Sequence, residues 1–276
     1  ITNNMSSEEF VSLLNEMANE AFIYSALLDH SHTLWENEDE ISSLIDEINF
    51  LRFRQVFPLL VVLYRKFGNK ERNEFKKLLK LFLNFSVRSY TILDRNPNEF
   101  ERKYSEWARL LREDKIEIKE IIEFLKENWP SDDEIKNKII GMQVKNEKKA
   151  KYILVKVNDA LEKTLLHTTW SNQPTLEHVI PRNPNEEWKR YLKSKNMKHE
   201  KFVNRLGNLT ILSQKENREL GNIPYSEKRK KYLEMDVPLN KVTFEKLEEF
   251  DEEAIRKREE IIANLIVEKK LWEFEN

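Results

Sequence analysis

The sequence predicts a mainly α-helical protein in which a helical scaffold carries one small unit of two strands and a helix. Over residues 1–167, segments with apolar residues at helical spacing alternate with Lys/Glu-rich faces. After residue 168 the pattern changes to two short β-branched and apolar runs separated by an insertion. Five of the eight prolines lie between 174 and 238. We therefore predict a helical domain over 1–167 and a second domain over 168–276 that includes a C-terminal helix.

Helix boundaries in the first domain are marked by caps and breakers. Ser6 and Glu9 form a capping-box pattern ahead of the first helix. Pro58 is expected to kink or split the second helical segment, and Gly68 to end it. Two apolar stripes follow from the spacing: Phe10, Leu13, Leu14, Met17, Ala18 and Ala21 on the first helix, and a core stripe of Phe57, Tyr64, Phe67, Phe75 and Phe82.

In the second domain we expect the first strand to end near His178. The second strand is expected directly after Asn208, and a helix capped by Ser213 to carry Asn217. An acidic amphipathic helix is expected to follow at about 243–274.

Composition excludes several classes of protein. Hydrophobic residues make up 39% of the 276 residues, which is enough for a core. Cysteine is absent, so disulfides, Cys-ligated zinc and a Cys nucleophile are excluded. Apolar runs fall short of the roughly 18 residues of a membrane span, and a signal-peptide pattern is lacking at residue 1. A cytoplasmic protein is the expectation.

Charge is distributed unevenly along the chain. The net charge is −2, yet residues 175–232 hold 14 Lys and Arg against 7 Asp and Glu. A basic segment in an acidic chain is typical of a surface that meets a polyanion. A solvated surface rich in lysine explains the same count, and charge alone leaves both interpretations open.

Three polar residues, His178, Asn208 and Asn217, each lie beside an apolar run. A unit of two strands and a helix would bring them to one small surface. A neutral imidazole there accepts a proton from water, and a divalent cation neutralises charge on a phosphodiester. Carboxylate and amide oxygens suit Mg²⁺ or Mn²⁺ better than Zn²⁺. A hydrogen-bonded structural histidine beside Glu177 remains an alternative, as does His199 as a ligand in a variant site.

The stretch "LEHVIPR…RLGNLTILSQKENRELGNIPYSEKRKKY" resembles the HNH-nuclease (ββα-metal) domain at the C-terminal end of GmrSD-like restriction and phage-defence proteins. The helical region before it, including "FPLLVVLYRKF" and "WPSDDEIKNKI", resembles the segment that precedes this nuclease in the family. The matching elements are Glu177 to Pro181, Gly207 to Leu212, Asn217, and Tyr225 with Lys228 and Tyr232.

The resemblance implies a role for each matching residue. His178 would be the general base that activates water, and Asn208 would bridge the loop between the strands. Glu177 and Asn217 would hold Mg²⁺ or Mn²⁺, Asn217 standing in place of the last histidine of the HNH name. Arg182 stands where the family usually has glutamine. The residues expected to contact DNA are Arg182, Lys215, Lys228, Arg229 and Lys231.

The resemblance also implies partners. The family's proteins carry a ParB-like nucleotidase domain N-terminal to the nuclease, so we expect this chain to be the C-terminal part of a longer protein. DNA is the expected substrate, in a restriction system that acts in antiviral defence, and a homodimer is an open expectation. The alternative function is a non-catalytic nucleic-acid or protein-binding module built on a degenerate HNH scaffold.

Overall fold

The computed structural model describes residues 5–68, 70–162, 170 and 174–275, and these residues are mainly helical, as predicted. The chain divides into two compact units. The first comprises Ile1–Tyr90, Asp94–Trp129 and Phe274–Asn276, and the second comprises Thr91–Leu93 and Pro130–Glu273. The predicted domain boundary at 167/168 lies outside the described residues. The observed division falls earlier in the chain because the two helices before that boundary pack in the second unit.

Among the residues that the structure describes, the first unit contains six α-helices. Ser6 and Glu9 form the predicted capping box at the first helix. Pro58 lies in the first turn of α3, where its missing N–H costs nothing, so it begins a helix instead of kinking one. The helices are α1 (Ser7–Leu28), α2 (Asp39–Leu51), α3 (Phe57–Phe67), α4 (Arg72–Ser86), α5 (Asn98–Arg112) and α6 (Ile118–Glu127), with a π-helical segment (Val87–Ile92) after α4.

Aromatic side chains form much of the core of the first unit. Of the predicted stripe, Phe57, Tyr64, Phe75 and Phe82 are buried, and Phe67 is half-buried. An edge-to-face contact between Tyr64 and Phe75 joins α3 to α4, and Trp35 packs edge-to-face on the same Tyr64 ring.

The predicted apolar stripe of α1 lies mostly at the surface. Phe10, Leu14 and Met17 are 47%, 48% and 59% exposed. The residues that α1 buries are instead Ile23, Ala26 and Leu27, near its C-terminal end. Helical spacing identified the helix but not the part of it that is covered.

The second unit combines helices with a two-stranded antiparallel sheet. The helices that precede the sheet are α7 (Asp132–Ile139) and α8 (Glu147–Leu161). The sheet and the helices after it are β1 (Thr175–His178), α9 (Glu186–Ser194), α10 (His199–Phe202), β2 (Leu209–Leu212), α11 (Gln214–Leu220), α12 (Tyr225–Glu234), α13 (Pro238–Phe244) and α14 (Glu252–Glu268), with a 3₁₀ turn at Leu206–Asn208.

The register of the sheet pairs Thr175 with Leu212 and His178 with Leu209. Two strands of four residues are too short to be stable alone in water. The surrounding helices bury them: α8 packs on both strands, all four residues of β2 are buried, and α14 packs on the turn that precedes β2. Within the part of the chain that the structure describes, no helix has the length and apolar character to cross a membrane.

Candidate active site

The end of β1 is held by a clamp from Asn208. The buried Asn208 side chain accepts a hydrogen bond from the Ile180 N–H (2.8 Å) and donates to the Ile180 carbonyl (3.1 Å) and the Val203 carbonyl (3.0 Å). Its main-chain carbonyl accepts from the Val179 N–H at 2.9 Å. The two residues that follow His178 are therefore fixed to the loop before β2. Asn208 thus joins the loop before β2 to the residues that follow His178.

His178 is nearly enclosed, with 9% of its surface exposed. The Arg182 Nε–H donates a hydrogen bond to His178 Nε2 at 3.2 Å. A guanidinium has no acceptor, so Nε2 must be the unprotonated ring nitrogen. Burial, followed by the positive charge of Arg182, lowers the pKa of His178 to about 4. The imidazole is therefore neutral at physiological pH, which is the form that can accept a proton.

Arg182 links the histidine to a residue that sequence analysis did not select. Its guanidinium also forms an ion pair with Glu147, the first residue of α8. Hydrogen bonding from Arg182 lowers the pKa of Glu147 below its ordinary value. Both side chains are about half exposed. No pattern in the sequence marks Glu147, because it lies 35 residues before Arg182 at the start of an ordinary amphipathic helix.

Glu177 points to the opposite side of β1 from His178, as the alternation of a strand requires. Lys228 Nζ donates to Glu177 Oε1 (2.7 Å) and to the carbonyls of His178 (3.0 Å) and Val179 (3.2 Å). The Tyr232 hydroxyl donates to the same carboxylate oxygen at 3.1 Å. Burial raises the pKa of Glu177 and lowers that of Lys228, and the ion pair opposes both shifts. This network holds the backbone of β1 from the interior.

These contacts give Glu177 and Lys228 roles different from those expected. Lys228 is 0% exposed, so it lacks the access to solvent that a phosphate contact needs. Lys228 and Tyr232 both bond to Glu177 Oε1, so a cation at this carboxylate would compete with a buried ammonium group. Over residues 5–68, 70–162, 170 and 174–275 there is no cluster of three or more His, Asp or Glu able to hold a metal ion.

Asn217 lies half-buried on α11, beside the other end of β1. Its amide nitrogen donates to Thr175 Oγ1 (2.9 Å) and to the Leu176 carbonyl (3.1 Å). The amide oxygen is the atom that remains for another ligand. The structure thus brings His178, Asn208 and Asn217 to one strand: Asn208 fastens its end and Asn217 its beginning.

The remaining residues predicted to bind DNA differ in environment. Lys215 is exposed on α11, and Lys231 is half-buried on α12. Arg229 donates to the carbonyls of Phe244 and Glu245 at the end of α13, so it stabilises a helix terminus. His199 Nε2 lies 2.8 Å from the carbonyl of Pro181, next to the turn after β1.

Comparison with known protein families defines the class. Residues 129–265, which include the whole site, match the family described as GmrSD restriction endonucleases, C-terminal domain. A match to this family indicates a nuclease of the restriction-endonuclease type. The match confirms the resemblance predicted from the sequence: residues 129–265 are a GmrSD-like C-terminal region. No curated protein matches the chain.

Proposed function

We propose that this chain is an HNH-type endonuclease module that hydrolyses phosphodiester bonds of foreign DNA, with His178 as the general base. The observation that supports it best is the state of His178. Its Nε2 is an unprotonated acceptor at a strand end, and Asn208 fixes the next two residues of the backbone. A general base must be both neutral and rigidly placed to contribute to rate.

The chemistry assigned to these residues is a single displacement. Water first replaces the Arg182 Nε–H at His178 Nε2, and Nε2 then takes a proton from that water while the water oxygen forms a bond to phosphorus. The bond between phosphorus and the 3′-oxygen breaks, leaving a 5′-phosphate and a 3′-hydroxyl after that oxygen is protonated. Arg182 lies 3.2 Å from the base through its Nε and is half exposed, so it is the cation best placed to meet the phosphate.

The requirement for Mg²⁺ or Mn²⁺ remains a proposal that rests on the resemblance. Lys228 engages Glu177 Oε1, so the contacts of Glu177 give this requirement no separate support. Arg182, Lys215 on α11 and Lys231 on α12 remain the proposed DNA contacts. The burial of Lys228 and the helix-end hydrogen bonds of Arg229 do not support that role for these two residues. A ParB-like nucleotidase domain in the same longer protein, a homodimer and a cytoplasmic location also remain proposals.

Cleavage of supercoiled plasmid by the wild-type chain tests the proposal. We expect nicked or linear product with Mg²⁺ or Mn²⁺, and loss of that product when EDTA is added in excess. Modified and unmodified plasmids are compared in the same experiment. Cleavage that continues in EDTA would contradict the metal requirement but would still support nuclease activity.

The engaged Glu177 favours a second candidate function, a nucleic-acid-binding module on a degenerate nuclease scaffold. In that case the wild-type chain shifts DNA in a gel and the shift weakens with salt, as phosphate contacts require. No divalent ion then produces cleavage of any plasmid. Gel shift without cleavage would select this candidate over the first.

Replacing Arg182 with glutamine is expected to move the acid limb of the pH–rate profile upward. Removal of the guanidinium removes one of the two main causes that lower the pKa of His178, so this pKa rises from about 4 towards its ordinary value. The base is active only when neutral, so activity in the variant is lost at a higher pH as the solution is acidified. Groups facing His178 that stay are Glu147, Lys228 and His199.

The measurement is single-turnover nicking across the acid range, together with an NMR titration of His178. Arg218→Gln removes an exposed guanidinium from α11 and is the matched control. An acid limb that does not move in Arg182→Gln would contradict the electrostatic role of Arg182.

A further inference from the structure

We propose that Arg258 and Glu259 of α14 are positioning residues that hold the Gly207–Asn208 turn, and through it the end of β1 that carries His178. The proposal rests on the proposed function for its catalytic consequence. Its structural part, that α14 holds the end of β1, rests on the hydrogen bonds of Arg258 and Glu259 and can be tested separately. Neither residue belongs to the motif that the family resemblance rests on.

Glu259 is fully buried and reaches three groups around the turn. Its carboxylate accepts hydrogen bonds from the Gly207 N–H (3.2 Å), the Gly141 N–H (2.8 Å) and Arg205 Nε (2.8 Å), and it forms an ion pair with the Arg205 guanidinium. A buried carboxylate with this many donors is satisfied. It therefore fixes the backbone on the N-terminal side of Asn208.

Arg258, the preceding residue, reaches the same turn from its other side. Its Nη1 donates to the carbonyl of Gly207 and, at 3.1 Å, to the carbonyl of Leu209. The guanidinium lies 4.1 Å from the ring centroid of Phe244 and is fully buried. Burial lowers the pKa of Arg258 to about 10, which leaves it charged at neutral pH. The two neighbouring charges thus hold the N–H and the C=O of one glycine.

The contact between α14 and the turn leaves no space for a side chain. A Cβ at Gly207 would lie 2.2 Å from the Ile255 carbonyl oxygen and 2.9 Å from Glu259 Cγ. The turn can therefore approach α14 only because residue 207 is glycine.

The next residue, Asn208, bonds directly to Val179 and Ile180, the two residues after His178. A continuous set of hydrogen bonds runs from α14 to the backbone beside the base. An apolar pair of similar volume would fill the interior equally well. Groups that bond to both the N–H and the C=O of Gly207 set the orientation of the two peptides that flank it, and for that reason we assign positioning to Glu259 and Arg258.

The test uses Glu259→Gln in the full chain, with Glu253→Gln as the matched control. Both variants remove one carboxylate from α14, but Glu253 is half exposed and pairs with surface cations. Two quantities are measured: hydrogen exchange of the Ile180 and Val179 amides, and kcat and KM for plasmid nicking.

In Glu259→Gln we expect the Ile180 amide to exchange about tenfold faster, since the clamp that protects it loosens locally. We expect kcat to fall about tenfold to a hundredfold, because a small misplacement of a reacting group slows the chemical step. KM should change less than kcat. The control keeps wild-type values for both. Arg258→Lys serves as a second variant if Glu259→Gln does not fold.

A lower Tm in Glu259→Gln with unchanged exchange at Ile180 and unchanged kcat would overturn the proposal, because α14 would then be structural only. Failure of the proposed function looks different. The wild-type chain would not nick DNA, yet exchange at Ile180 would still accelerate in the variant. The positioning role would also be rejected if Ile180 exchange is unchanged in both variants and, where the wild-type chain nicks DNA, kcat is unchanged in Arg258→Lys.

Discussion

Replacing His178 with alanine is expected to reduce the rate of plasmid nicking about 100-fold to 10,000-fold, the usual contribution of a positioned general base. The variant removes the group that the structure holds as a neutral acceptor at the end of β1, bonded to Arg182 through Nε2. DNA binding should persist, because the exposed cations of the surface are unchanged. The expected pattern is therefore a large fall in kcat with a small change in KM.

The measurement is single-turnover nicking of supercoiled plasmid, with a gel shift on the same preparation. His178→Gln preserves much of the side-chain volume and guards against misfolding of the alanine variant. His30→Ala, at a histidine with a side chain 37% exposed in the first unit, is the control and should nick as the wild type does. His199→Ala examines the alternative that His199 takes part. Nicking by His178→Ala within about threefold of the wild type would remove His178 from the mechanism.

Replacing Lys228 with methionine is expected to lower the free energy of unfolding by about 3–5 kcal/mol, the cost of leaving one member of a buried ion pair alone. Lys228 is 0% exposed and donates to Glu177, His178 and Val179, so methionine fills the space but leaves three acceptors without this donor. Urea unfolding at neutral pH measures the change. Lys230→Met, at an exposed position of the same helix, should change stability by less than about 0.5 kcal/mol.

The pH dependence of the Lys228→Met effect follows from Glu177. Burial already raises the pKa of Glu177, and loss of the ammonium group that opposes this shift raises it further. A carboxyl with a folded-state pKa above its unfolded value loses stability as pH rises through the window between them. The variant's deficit should therefore be smaller at acidic pH than at neutral pH.

A second substitution checks the same idea. In the double variant Lys228→Met with Glu177→Gln, neither charge of the pair remains at β1, so part of the lost stability should return. A deficit that is independent of pH and unchanged in the double variant would show that the ion pair is not what stabilises the strand.

The sequence predicts local features of the site well, since their causes lie within a few residues. The strand that ends at His178 is marked by a short apolar run, and the helix that carries Asn217 by the cap at Ser213, which is present with its partner Glu216. Asn208 follows a glycine and precedes a second apolar run, so its place between the strands can also be predicted from the sequence.

Other features depend on residues far away in the chain. Glu177 is followed by a histidine in a motif typical of metal sites. In the structure, however, the Glu177 carboxylate accepts a hydrogen bond from Lys228, 51 residues later in the chain. Arg258 and Glu259 occupy the inward positions of α14 beside Ile255 and Ile262, where an apolar stripe should continue. Two charges inside such a stripe are a signal that could have identified them, but nothing local tells which backbone groups they reach.

Spacing, caps and a motif along the chain were sufficient to predict the helical class, the ends of the capped helices, the two strands and the family resemblance. The contacts of Glu177 with Lys228, of Arg182 with His178 and of α14 with the turn before β2 could be known only from the three-dimensional fold. The physical reason is that a strand presents alternate residues to two sides. Which side becomes interior is set by helices distant from the strand in sequence, including α8 before it and α12 after it, and the partners of buried charges depend on distance in space.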